Sequence, residues 1–286
     1  MATTRDDLIG HVDRYLEALV ANDPARLGGP DAVRFTENAQ LLSLGRGLWG
    51  TATPDPPPHR ALYVPDEETG QVGFFGMVSE AGEPVMMALR LKVEGDRITE
   101  AETLLCRDRD TIFNVEGMRR PRTVFEAVVP EAERATRAQL VEATNLYLDG
   151  ILQANGAMIP VAPDCIRIEN GVQTVLNPEA TGIRAEARDR GTWHLGVAEQ
   201  VDAKIFTDIE AARDRRVGAI DEERGLVMVV FVFDHAGPLV SRGGRSRFRR
   251  PNSMMVAEVW KMAGGLIRQI EAVLDVFPYG MPTGWS

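Results

Sequence analysis

Two stretches of the chain alternate apolar and polar residues on either side of a glycine turn, which is the pattern of a β-hairpin. Residues 253–275 predict two long strands joined at Gly264-Gly265, because glycine accepts the positive φ that such turns require. Residues 84–105 predict the same construction around Gly95. Similar elements precede both hairpins, so the pattern indicates a chain of two related halves.

Helical periodicity opens each half. Residues 6–21 place apolar side chains at helical spacing, and Pro24 follows, which disfavours helical geometry in the residue before it. In the second half, Thr136 and Gln139 fit a capping box, although a start nearer Glu131 is also open. Shorter elements are predicted between the first helix and its hairpin: strands at 33–38, 61–64 and 71–78, and a short helix after Gly45.

Matching motifs support an internal repeat. PDAVR at 30–34 resembles PDCIR at 163–167, and RYLE at 14–17 resembles LYLD at 146–149. The interval of roughly 130 residues is typical of a duplicated domain, since solenoid repeats are much shorter. A helix followed by a meander of strands predicts an α+β fold in each half. We therefore predict a first domain at 1–117, a linker at 118–130 and a second domain at 131–286.

Composition argues against several classes of function. The net charge of −10 opposes non-specific binding to nucleic acid. No apolar run is long enough for a membrane span, and the start of the sequence has no apolar signal segment, so we expect a cytoplasmic protein. The two cysteines and four histidines show no metal-ligand spacing, and no Walker or Rossmann glycine loop is present. We accordingly expect no metal site and no cofactor.

Several motifs resemble those of a known superfamily. They are RFTENAQ with GRGLWGT in the first half, and IDEERGLVMVVFVFDH and IEAVLDVFPYGMPTGW in the second. Each half resembles the nuclear transport factor 2-like (SnoaL-like) superfamily, and the whole chain resembles a duplicated domain-of-unknown-function family of fungi and bacteria. The resemblance implies two tandem cone-shaped domains, each with a curved, mainly antiparallel sheet wrapped around a long helix. Such cones host isomerases, dehydratases, lyases, hydrolases and binding domains, so the resemblance specifies no chemistry.

The strand pattern selects Glu258 as the main catalytic candidate. With the second hairpin paired about its turn, Glu258 and Trp260 share one face with apolar neighbours, and this face should line a cavity. A carboxyl group in apolar surroundings has a raised pKa, which suits a general acid or base at neutral pH. The equivalent first-half position is Leu89, so the second cavity is the better candidate. The alternative is that Glu258 pairs with an arginine.

Three residues are candidate catalytic partners of Glu258. His194 and His235 could shuttle protons at neutral pH, although a histidine at a strand end often only holds a turn. Tyr147 lies on the helical stripe that faces the sheet, where its phenol could hydrogen-bond a substrate oxygen. The predicted substrate-binding residues are Trp193, Trp260, Met262 and Ile270 in the second half, and Tyr15, Glu37, Trp49 and His59 in the first.

Three functions remain open from the sequence. The leading hypothesis is a cofactor-independent lyase, isomerase or dehydratase that uses acid–base chemistry on a hydrophobic, aromatic or polycyclic small molecule. A lignin-derived or secondary-metabolite compound would fit. The alternative is a non-catalytic small-molecule-binding or scaffold protein whose domains pack sheet to sheet, and sheet faces could also form a homo-oligomer. The arginine-rich segment 241–250 could bind RNA or hold a substrate carboxylate, and the other interpretation is a solvated loop or one that contacts another copy.

Overall fold

A computed structural model of the chain describes residues 3–29, 31–55, 61–107, 112–120, 122–178, 192–237, 248 and 250–285. The fold is α+β, with one mixed sheet in each half of the chain, of seven and six strands. His59 lies outside the described residues, as do residues 241–247 and 249 of the arginine-rich segment.

The first half is a helix packed on a sheet. Helix α1 spans Arg5–Val20, and Thr4 and Asp7 form a capping box at its start. The strands are β1 (Arg34–Glu37), β2 (Gln40–Leu42), β3 (Ala52–Thr53), β4 (Leu62–Asp66), β5 (Gln71–Glu80), β6 (Glu83–Glu94) and β7 (Arg97–Cys106). Their order is β2-β1-β7-β6-β5-β3, with β4 also paired to β5. The β1–β7 pair is parallel and all other pairs of this sheet are antiparallel.

The second half is also a helix packed on a mixed sheet. Helix α4 spans Arg137–Gln153, and the predicted capping box of Thr136 and Gln139 is present. The strands are β8 (Val161–Glu169), β9 (Val172–Gln173), β10 (Ile209–Asp221), β11 (Leu226–His235), β12 (Asn252–Ala263) and β13 (Leu266–Pro278), in the order β10-β11-β12-β13-β8-β9. The parallel pair is β13–β8. The shorter helices are α2 (Val115–Arg119), α3 (Thr123–Glu126) and α5 (Val197–Asp202).

The second hairpin pairs as its alternation predicts. Gly264 and Gly265 form the turn with φ of +61° and +76°, values that residues other than glycine rarely adopt. Glu258 pairs with Ala272 and Trp260 with Ile270. Trp260 and Ile270 belong to the apolar cluster that also contains α4, so this face of the sheet is the inner face of the second half.

The two sheets pack against each other through their opposite faces. Residues of β5, β6 and β7 form one apolar cluster with residues of β11, β12 and β13. Met118 and Phe125, from the segment predicted as a linker, are buried in the same cluster. These faces of both sheets are therefore occupied within one chain, which leaves them unavailable for the homo-oligomer considered from the sequence.

Reciprocal ion pairs cross between the halves. Arg5, the first residue of α1, donates to Asp221 of β10 at 2.6 Å. Arg137, the first residue of α4, donates to both oxygens of Asp66 of β4, at 3.1 and 2.6 Å. Each aspartate is the last residue of its strand, so the two contacts are equivalent. The interface has the self-complementary character of a two-fold dimer.

A second pair of equivalent contacts lies inside each sheet. The Asn38 side chain donates to the carbonyl of Leu105 at 3.1 Å and accepts from its N–H at 2.7 Å. Asn170 makes the same two bonds with Leu274, both at 2.9 Å. Both asparagines have positive φ, a conformation that asparagine accepts more readily than most residues. The ENAQ and ENGVQ motifs thus serve one structural purpose in both halves.

Candidate functional site

Glu258 lies on the inner face of the second sheet and is only 4% exposed. One of its oxygens, Oε2, accepts a hydrogen bond from Trp260 Nε1 at 3.1 Å. Within the described part of the chain, Oε1 accepts no hydrogen bond. Burial raises the pKa of Glu258 to about 8, with a further increase from Glu169, against the opposing effects of Arg167 and the Trp260 hydrogen bond. The carboxyl group is therefore mostly protonated at neutral pH.

Arg167 of β8 is the positively charged residue that opposes the raised pKa of Glu258, and it is 3% exposed. Its guanidinium donates to Thr174 Oγ1 at 3.2 Å and to Gln200 Oε1 at 2.6 Å. It also forms an ion pair with Glu169 at 3.2 Å. These contacts fix the guanidinium in a buried position, where its positive charge favours the ionised form of nearby acids and favours bound anions.

The Tyr147 phenol is hydrogen-bonded to Arg167 and packs against Trp260, which in turn donates to Glu258. Its oxygen accepts from Arg167 Nη1 at 3.4 Å, and its ring centroid is 5.0 Å from that of Trp260. Burial raises the pKa of Tyr147, and Glu258 adds to the increase. The phenol thus keeps its proton, and because its oxygen already accepts from Arg167, that proton can be donated to a ligand.

Strand pairing explains why these side chains meet. Glu258, Ala272 and Glu169 form one row across β12, β13 and β8, and Trp260, Ile270 and Arg167 form the next row. Ala272 has a short side chain, so Glu258 is not separated from β8 by a bulky neighbour. The inner face therefore presents a carboxylic acid, a phenol and a guanidinium around a small residue.

The sequence pattern missed Arg167. Residues 166–169 read Ile-Arg-Ile-Glu, an alternation that normally places the isoleucines inside and the charges outside. The parallel pairing of β8 with β13 reverses this expectation, because Arg167 pairs with Ile270 on the inner face. Buried Gln200 and Thr174, which hold the guanidinium, come from segments with no periodic signal for such a role.

The two candidate histidines lie away from Glu258. His194 is exposed. His235 is buried at the end of β11, where it pairs with Asn252 and its ring lies 4.6 Å from that of Phe248. Asn252 is six residues from Glu258 along β12, or about 20 Å in an extended strand. Of the three predicted partners, the structure brings Tyr147 to Glu258.

The other predicted second-half residues are part of the core. Met262 and Ile270 belong to the same apolar cluster as Trp260 and Tyr147. Trp193 is buried, and its carbonyl accepts a hydrogen bond from the backbone of Asn177 at 2.8 Å. Trp260, Met262 and Ile270 thus pack in one apolar cluster with residues of α4.

The first-half candidates form a separate cluster. Tyr15 OH accepts from Trp49 Nε1 at 3.3 Å, and both side chains are fully buried. Glu37 accepts from the backbone of Leu48 at 2.7 Å and pairs with Arg107 at 3.4 Å. Burial raises the pKa of Glu37, while Leu48 and Arg107 oppose the increase. Tyr15, Glu37 and Trp49, the described candidates of this half, are all engaged with protein groups.

Gly47 makes the Glu37 contact possible. A Cβ at this position would lie 2.4 Å from Glu37 Oε2, well inside the van der Waals limit. Its φ of +65° also favours glycine. The GRGLWG motif is therefore explained by the seat of a buried carboxylate, which is a structural role.

Among the residues that the structure describes, no group of three His, Cys, Asp or Glu side chains could hold a metal ion. No helix within the described ranges is long and apolar enough to cross a membrane.

One family model matches part of this chain. A family model described as a domain of unknown function, DUF8021, matches residues 133–274, the greater part of the second half. No curated protein has a significantly similar sequence.

Solved structures match about half of the chain with low TM-scores. One is a SnoaL-like polyketide cyclase from Agrobacterium tumefaciens, with 15% identity over 48% of this chain and 91% of its own, at a TM-score of 0.29. Another is a protein of unknown function with a cystatin-like fold from Methylobium petroleophilum. It has 16% identity, the match covers 51% of this chain and 90% of its own, and the TM-score is 0.31. A de novo designed protein with a curved β-sheet has 9% identity; the match covers 49% of this chain and 88% of the designed chain, with a TM-score of 0.30.

Proposed function

We propose that the second half is a cofactor-independent enzyme that performs acid–base chemistry on a hydrophobic small molecule. The observation that carries this proposal is the state of Glu258: a buried carboxylic acid whose pKa is raised to about 8, beside a phenol and a fixed guanidinium. Active sites are the places where burial shifts a carboxyl pKa into the neutral range. The apolar surroundings favour an aromatic or polycyclic substrate.

The residues suit a reaction that passes through an oxyanion. A carbonyl oxygen placed between Tyr147 and Glu258 would receive hydrogen bonds from two protonated groups, and Arg167 would stabilise the negative charge that develops. Glu258 would donate its proton to the substrate, and the resulting carboxylate, held by the Trp260 N–H, would accept a proton from carbon. The proton count balances and no redox partner is needed. Isomerisation, dehydration and carbon–carbon cleavage can all proceed in this way.

Proton exchange tests the proposal without a known substrate. The full chain is incubated in D₂O with a panel of aromatic and polycyclic ketones, and deuterium incorporation next to the carbonyl is followed by NMR. We expect exchange to be catalysed for some member of the panel and to fall by about 10²-fold or more in Glu258→Gln, which cannot carry the proton. Glu37→Gln, the other buried glutamate in a tyrosine–tryptophan cluster, is the matched control and should retain exchange. Equal exchange in Glu258→Gln would show that another group carries the proton.

We also propose that the chain is a tandem repeat of one cone-shaped module, with the domain bounds given from the sequence. The reciprocal Arg5–Asp221 and Arg137–Asp66 contacts support it, as do the equivalent asparagines of both sheets. The same face-to-face packing favours the second candidate function, a binding or scaffold protein built as a pseudo-dimer. A scaffold would bind ketones without exchanging their protons, so the exchange experiment separates the two functions.

A further inference from the structure

A cleft at the boundary between the halves is lined by three arginines. It encloses about 260 Å³ and lies between Arg5 of α1, Arg122 before α3 and Arg224 of the β10–β11 turn, with Tyr63 and Phe125 on its walls. The three guanidinium groups come from segments far apart in sequence. The cleft is separate from the Glu258 cluster, because Arg122 contacts Glu271, on the opposite face of the second sheet, at 3.6 Å.

Each arginine is held in place by the protein. Arg5 donates to Asp221 at 2.6 Å. Arg224 donates to the carbonyl of Glu126 at 3.1 Å and to Glu223 at 2.8 Å. Arg122 donates to the carbonyls of Arg120 and Gly117, both at 2.7 Å. Ligand binding would therefore immobilise few side chains, which lowers its entropic cost.

Two of these arginines keep donors that the protein does not use. A guanidinium has five N–H groups. Within the described residues Arg5 donates one of them and Arg224 two, and both side chains remain partly exposed, at 26% and 22%. Planar pairs of N–H groups match carboxylate and phosphate oxygens, and aromatic walls suit the body of a small ligand. The nearby acids Asp221 and Glu223 hold the arginines, and the exposed Glu126 lies at the cleft.

We propose that this cleft binds a small molecule through a phosphate or carboxylate group. Arg5 belongs to the first half and Arg224 to the second, so such a ligand would bridge the two halves and stabilise their packing. The volume suits a compact metabolite or the charged end of a larger one.

The equivalent location on the other side of the molecule lacks this arrangement. There Arg137 is bound to Asp66 as Arg5 is bound to Asp221. Among the described residues, the groove beside it is lined by one arginine, Arg137, and the position equivalent to Arg224 is Thr69, three residues after its aspartate. Arg137 therefore provides a control that breaks the same kind of cross-half ion pair without touching the cleft.

Calorimetric titration of the full chain tests the proposal, with inorganic phosphate and citrate as probes at constant ionic strength. We expect one-to-one binding of at least one probe in the millimolar range or tighter. Arg5→Gln and Arg224→Gln should each weaken it about tenfold, the effect of one lost charge-assisted hydrogen bond. Arg137→Gln should bind as the unaltered chain does. Binding of phosphate alone would assign phosphorylated ligands to the cleft, and binding of citrate alone carboxylated ones.

Two outcomes would overturn the proposal. One is the absence of binding heat from both probes at concentrations of about 10 mM. The other is an equal loss of probe affinity in Arg137→Gln, which would show that the loss comes from altered packing of the halves and not from the cleft. Circular dichroism shows which variants are folded. If Arg5→Gln unfolds, Arg224→Gln still tests the proposal, because the ion pair between Arg5 and Asp221 is intact in that variant.

Discussion

The inner faces of the two sheets have the same strand register but opposite chemistry. Glu258 pairs with Ala272 in the second half where Leu89 pairs with Thr103 in the first. Arg167 pairs with Ile270 where Phe35 pairs with Ala101. One backbone plan thus accommodates either an apolar interior or a buried carboxyl group and guanidinium. Burying unpaired charge costs several kcal/mol, so the polar interior has to be compensated by hydrogen bonds.

The compensation differs between the halves in a way that bears on function. In the first half, Tyr15 and Trp49 satisfy each other and Glu37 is bound by backbone and Arg107. In the second half, Arg167 is bound on several sides, whereas Glu258 accepts one hydrogen bond from the described residues. A structural carboxyl group is normally satisfied by its neighbours. The difference therefore favours the second half as the place of chemistry.

Removal of Arg167 should have the largest effect on this comparison. Arg167→Ala leaves Gln200, Thr174 and Tyr147 without their buried donor, and we expect it to lower the free energy of unfolding by about 3–5 kcal/mol. Arg215→Ala removes a partly exposed ion pair with Asp149 at 2.7 Å, and it should cost about 1 kcal/mol or less. Urea unfolding of both variants measures the two values. Similar losses would mean that the buried guanidinium is structurally dispensable.

The pH dependence of stability should show the second difference. The pKa of Glu258 is raised in the folded chain to about 8 from an ordinary value of 4.5, so the folded state holds a proton that the unfolded state releases. Stability from this group is complete below about pH 4.5 and is lost as the pH rises towards 8, by up to about 1.4 kcal/mol per pH unit. Unfolding at a series of pH values should show this slope relative to Glu258→Gln. If the curves of unfolding free energy against pH are parallel for the two proteins, Glu258 has an ordinary pKa.

Lys261 changes the stability of the chain in a different pH range from Glu258. Burial lowers the pKa of Lys261 to about 8, with Asp221 opposing the decrease and Arg224 adding to it. The unfolded state then binds the extra proton between about pH 8 and 10.5, so this lysine makes stability rise with pH only above the Glu258 window. A slope below pH 8 that disappears in Glu258→Gln is thus specific to the carboxyl group.

Sequence reasoning could find Glu258, Trp260 and Tyr147 but not Arg167, for a physical reason. A hairpin is local: the alternation of residues 253–275 and the Gly264-Gly265 turn set the register, and register determines which face Glu258 occupies. The role of Arg167 depends on a parallel pairing between strands about 100 residues apart, which no turn specifies. The cross-half ion pairs and the arginine cleft are likewise products of packing. Local patterns predicted the elements, and non-local pairing assembled the site.

Substitution of the two helix tyrosines should give the smallest difference between the halves. Tyr147→Phe removes an acceptor from the charged Arg167, and Tyr15→Phe removes one from the neutral Trp49 N–H. Hydrogen bonds to charged groups contribute about 1.5–3 kcal/mol and neutral ones about 1 kcal/mol, so Tyr147→Phe should lower the free energy of unfolding by about 1 kcal/mol more. Both changes remove one hydroxyl from a fully buried ring, so differences in packing cancel in the comparison. Equal losses would indicate that Arg167 is held well enough by Gln200 and Thr174 alone, which would leave the phenol free to serve a ligand.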